Sequence, residues 1–158
     1  MKLLLSLALF SLFGMLAADA PDEAFEELID AFYRGDAAVV ESHLSSGALE
    51  MIDMMLMMVK IQPDQSASEI SRELQIALTG QELMNWTATE FIEAFINSPG
   101  MKDGLPPRAA VRVSGCDTEG DTGTVYLTVL DYPEAMEIAM VREDGCWKLG
   151  EALIDSEL

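Results

Sequence analysis

Positive charge is scarce in this 158-residue chain: 9 Lys and Arg stand against 28 Asp and Glu, for a net charge of -19. With no basic block to neutralise a phosphate backbone, nucleic acid is not expected as a partner. An anionic membrane surface is disfavoured for the same reason. There is one His, so any His-based catalysis must use His43. Two Cys without a neighbouring His are too few for a zinc site, and no metal or other cofactor is expected. No apolar run reaches the ~18 to 20 residues that a spanning helix needs.

Apolar residues make up 50% of the chain, too many for a disordered acidic segment. The N-terminus reads as an export signal. Lys2 is a positive n-region, Leu3 to Leu16 is apolar except for Ser6, Ser11 and Gly14, and Ala18-Asp19-Ala20 fits a cleavage site. The expectation is a signal peptide over residues 1–20 and one domain over residues 21–158, soluble after cleavage and periplasmic or secreted.

The domain divides into a helical half and a strand half. Pro21 opens a helix with Ala24, Phe25, Leu28, Ile29 and Phe32 at helical spacing, and Gly35 ends it in the left-handed position. Asp36 caps a short second helix. Residues 48–61 hold five of the eleven methionines and are apolar nearly all round, which predicts a helix covered on most sides by the domain, a ligand or another chain. Ser66-x-x-Glu69 and Thr87-x-x-Glu90 read as capping boxes, and Gly80 as the stop between their helices. From Arg108 the apolar period becomes two. Turns at residues 117–122, at Tyr132-Pro133-Glu134 and at Asp144-Gly145 divide this half into four strands. The predicted fold is α+β, with N-terminal helices packed on one face of a curved four-stranded antiparallel sheet.

Three segments resemble the nuclear-transport-factor-like superfamily, the cystatin-like or ketosteroid-isomerase-like cone fold. Residues 31–36, Ala-Phe-Tyr-Arg-Gly-Asp, are similar to its first helix break. Residues 120–129 are similar to a strand opening on Gly-Asp, and residues 141–149 to its closing hairpin. The Met-rich helix departs from that pattern. The resemblance implies a cone with an apolar pocket between sheet and helices, and often a homodimer. It implies no single activity, because such folds host enzymes, binders and assembly domains alike.

Within that cone the expected lining is Met51, Met54, Met55, Met58, Phe91, Phe95, Val113, Leu127 and Trp147. Met51, Met54, Met55 and Met58 fall at i, i+3, i+4 and i+7, which lines four thioethers along one helix face. Soft thioethers select Cu(I), but a line without a converging His or Cys suits an adaptable apolar surface better. A carboxylate in an apolar pocket would have a raised pKa and could act as general base, which makes Asp30 and Asp53 the catalytic candidates, with Tyr33 or Tyr126 supplying a phenol. Both acids also suit the solvated stripes of their helices. His43 lies near a helix C-terminus, where a cation is favoured. Export permits a Cys116–Cys146 disulfide. In a sequential meander, however, their strands lie roughly 14 Å apart, beyond the ~7 Å Cα limit unless curvature, loop reach or strand order closes the gap.

The leading functional expectation is non-catalytic binding of a small apolar ligand or of an apolar segment of a protein partner. An isomerase- or dehydratase-type enzyme and a homodimeric assembly module are the alternatives. Burial of Asp53 would favour the enzyme, and an exposed Met face would favour assembly.

Overall fold

A computed structural model describes residues 20–132 and 134–151. The expected signal peptide, apart from Ala20, lies outside the described residues, as does Pro133 of the second predicted turn. Among the described residues seven helices come first: α1 (Pro21–Arg34), α2 (Ala37–Ser42), α3 (Ser46–Val59), α4 (Pro63–Leu74), α5 (Gly80–Asn85), α6 (Ala88–Asn97) and α7 (Pro99–Gly104). A 3-10 turn, Arg108–Ala110, leads into β1 (Val111–Glu119), β2 (Thr122–Val129), β3 (Met136–Glu143) and β4 (Cys146–Leu149). The strands pair antiparallel in sequential order in an open sheet, so the α+β expectation holds. Among the described residues no helix is long and apolar enough to cross a membrane.

Local chemistry accounts for most element boundaries. Pro21 occupies the first turn of α1, where its missing N–H is no loss. Gly35 takes φ 73°, and the Asp36 N–H turns back to the Ala31 carbonyl at 2.9 Å. Asp36 then accepts the Val39 N–H at 3.3 Å, which caps α2. Thr87 and Glu90 form the predicted capping box of α6. Asp144 and Gly145 take φ 52° and 81°, as a two-residue hairpin turn requires.

Two expectations in the middle of the chain need correction. Ser66 is not a cap, because α4 begins earlier, at Pro63, and Ser66 lies inside it. Gln75, at φ 55°, ends that helix. Gly80 is not a stop: it opens α5, which is capped by a Thr79–Glu82 box that the glycine hid.

The core lies between α1 and one face of the sheet. Ala24, Phe25, Leu28 and Ile29 meet Val111, Val125, Leu127, Ile138, Met140 and Trp147. Gly123, on the core face of β2, leaves room for its neighbours. A Cβ there would stand 3.3 Å from Pro21 Cγ, Trp147 Cζ3 and the Asp117 carbonyl oxygen. The β4 edge is closed by the segment after α2. The Leu149 N–H donates to the His43 carbonyl at 2.7 Å, and the Ser45 N–H to the Leu149 carbonyl at 3.0 Å. That contact protects a strand edge and fixes where α3 begins.

Candidate functional site

The cone-lining set divides into two groups that do not face one another. Leu127 and Trp147 are core residues, and Val113, Phe91 and Phe95 are half-buried walls packed against that core. The Phe91 and Phe95 rings stack at 5.7 Å, and Trp86 meets Phe91 edge-on at 6.3 Å. Met51 is half-buried. Met54, Met55 and Met58 point outward, exposed by 59%, 37% and 67%. The Met-rich helix is therefore not wrapped by its own domain.

The reason lies in the helix period. Ala48, Ile52 and Leu56 repeat at four-residue steps and form the buried stripe of α3. The opposite face carries Met54, Met57 and Met58, at i, i+3 and i+4, and Ile61 follows in the turn just past the helix end. Met57 and Ile61, absent from the expected lining, are 65% and 76% exposed. The sequence signal that identifies them is the angle they make with Ile52 and Leu56, because hydropathy alone does not rank two apolar faces. Glu50 and Asp53 flank the face and are exposed.

Both ends of α3 are anchored. Ser45 caps its N-terminus by accepting the Ala48 N–H at 3.1 Å. The Glu143 carboxylate, from the end of β3, accepts the Ser46 N–H at 3.0 Å and the Ser46 hydroxyl at 2.8 Å. These bonds hold the Glu143 carboxyl below the usual carboxylate range, against a smaller opposing effect of burial. Just past the other end, Lys60 Nζ donates to the Trp86 carbonyl at 2.6 Å. The apolar face thus sits on a helix fixed to the sheet at one end and to the α5–α6 junction at the other.

The candidate carboxylates lack the apolar burial that such chemistry needs. Asp53 is exposed on α3. Asp30 is also exposed and accepts from Arg108 Nε at 2.7 Å, while Glu26 pairs with the same guanidinium. Arg108 Nη1 also donates to the Val111 carbonyl at 2.9 Å, so the group ties α1 to the start of the sheet. The Tyr33 hydroxyl donates to the Pro106 carbonyl at 2.7 Å; burial raises its pKa, and Arg108 lowers it by less. Tyr33, Phe32, Ile96, Leu105 and Arg108 line a shallow cleft of about 280 Å³ that contains neither Asp30 nor Asp53. Tyr126 bonds Asp117 Oδ2 at 2.8 Å on the open face of the sheet. His43 closes α2, with Nδ1 2.9 Å from the Val39 carbonyl and Nε2 3.3 Å from Glu27.

The cysteines are free. Cys116 pairs across to Val125 and Ile138 and faces the core, whereas Cys146 is opposite Glu143, on the other face of the sheet. Opposite faces and non-adjacent strands leave the disulfide that export would permit without a geometry. Among the described residues no group of three or more His, Cys, Asp or Glu is placed to hold a metal ion. Comparison with protein-family models, with curated proteins and with solved structures finds no match.

Proposed function

We propose that the chain is a non-catalytic docking module that seats an apolar segment of a partner protein on the outward face of α3. The observation that carries this reading is the joint exposure of Met54, Met57 and Met58 on a helix anchored at both ends, with Ile61 exposed in the turn that follows it. Exposed apolar surface of this kind marks interaction sites, and Met is the side chain that adapts to varied partners. Covering each such side chain contributes about 1.5 to 3 kcal/mol before ordering costs are subtracted.

Charge selects the occupant. A second copy of this chain would bring together two bodies of net charge -19, with Glu50 and Asp53 beside each apolar stripe. A partner helix with an apolar stripe flanked by Lys and Arg meets both the apolar face and its acidic border. A small ligand in a cone is less well supported, because three of the four thioethers expected to line it, Met54, Met55 and Met58, face solvent. The order of helices followed by an antiparallel meander supports the superfamily resemblance, and the export signal supports a periplasmic or secreted setting.

The test is calorimetric titration of the protein with a helical peptide bearing a Leu stripe and Lys flanks. Binding is expected for the unaltered chain and is lost in the M54S/M57S/M58S variant. Equal binding by both proteins contradicts the proposal, as does a dimer in sedimentation that the three Ser substitutions abolish.

A further inference from the structure

The apolar residues of α3 are sorted by type as well as by position. Its buried stripe is Ala48, Ile52 and Leu56, none of which peroxide oxidises readily. Its exposed apolar positions are Met54, Met55, Met57 and Met58. Burial in α3 is thus left to aliphatic side chains, while thioethers occupy its exposed surface. The core does accept methionine elsewhere, since Met140 on β3 is 1% exposed. Adhesion alone would be served as well by Leu, a better helix former than most. Met differs from Leu in one relevant reaction, oxidation to a polar sulfoxide.

We infer that Met54, Met57 and Met58 form an oxidation-controlled patch, in which hydroperoxides convert the docking face from apolar to polar. This inference rests on the docking reading for its consequence, though not for its chemistry. In each event a thioether lone pair attacks the distal peroxide oxygen. The S–O bond forms as the O–O bond breaks, and the departing oxygen leaves as water, or as an alcohol from an organic peroxide. Sulfur loses two electrons and the peroxide gains them. The inward stripe has no thioether to react, so α3 stays folded while its outer face gains polar, chiral S–O groups. Partner binding is lost without unfolding. The sulfoxide is reducible by methionine sulfoxide reductases, which makes the change reversible.

The experiment treats the full chain with hydrogen peroxide and samples it over time. Peptide mass mapping reads oxygen addition at each methionine, far-ultraviolet circular dichroism reads helix content, and calorimetry reads binding of the Lys-flanked peptide. Sulfoxide at Met54, Met57 and Met58 is expected while Met140 is still a thioether. Helix content should be unchanged and peptide binding lost. An M54L/M57L/M58L variant should bind the peptide before and after peroxide alike. Oxidation of Met140 as early as the surface residues overturns the inference, and so does full peptide binding by the oxidised protein, which leaves the docking reading intact. Absence of peptide binding before any peroxide is added overturns the docking reading itself and the switch with it.

Discussion

The Glu143 carboxylate at the end of β3 accepts the backbone N–H of Ser46, 97 residues earlier in the chain, at 3.0 Å. A strand residue thereby caps the N-terminus of the helix that carries the exposed methionines. The cap places an anion at the positive end of that helix and satisfies a backbone donor.

That relationship predicts a pH dependence. Bonding to Ser46 lowers the Glu143 pKa, so its contribution to stability is complete above the ordinary Glu value of about 4.3. It is lost as pH falls through the lowered native value. E143Q should lose about 1 kcal/mol of stability at neutral pH, and its deficit should shrink toward zero in acid. Urea unfolding at several pH values measures this. A deficit that is the same at all pH values would contradict the assigned role.

Surface and core should separate clearly in stability. M57S/M58S should change unfolding free energy by no more than about 0.5 kcal/mol per substitution. I52A, on the inward side of the same helix, should cost about 2 to 5 kcal/mol. Thermal or urea denaturation of both variants distinguishes the two faces, and a large loss in the Met variant would show that the stripe is packed.

The contact at Gly123 predicts crowding. Its missing Cβ leaves room for Pro21 and Trp147, so G123V should destabilise by about 1 to 3 kcal/mol despite the strand propensity of Val. Pairing G123V with W147F, which removes one ring, should recover part of that loss. No recovery would place the strain at the Asp117 carbonyl instead.

The cysteines should titrate as two thiols. The protein handled in air is expected to take up two alkylating groups once unfolded, with no reductant required. In the folded state Cys146 should react before Cys116, whose thiol pKa is raised by burial and by the neighbouring Asp22 carboxylate. A chain that takes up alkylating groups only after reduction would contradict the opposite-face placement.

The sequence made some features of the fold easy to read and hid others, and the difference is physical. Gly35-Asp36, Thr87–Glu90 and Asp144-Gly145 declared their structures because each satisfies a local backbone requirement with neighbouring residues. Period two carried the meander for the same reason. The short α5 was hidden because glycine both ends and begins helices, and only the Thr79–Glu82 hydrogen bonds separate the two cases. The Met-rich helix posed a different problem. When both faces are apolar, amphipathicity does not indicate which one is buried. Ala48, Ile52 and Leu56 win that place because β-branched and compact aliphatic side chains pack with less rotamer freedom than Met. The candidate site was therefore legible as a stripe of thioethers, but its direction was not.

The most direct test of the account is to follow backbone amide shifts by nuclear magnetic resonance while the Lys-flanked helical peptide is added. The account predicts shifts concentrated at Met54, Met57, Met58 and Ile61, with Glu50 and Asp53 at their border. Shifts concentrated around Phe32, Tyr33 and Arg108, or within the core beside Leu127 and Trp147, would contradict it by placing the binding surface in a cleft rather than on α3.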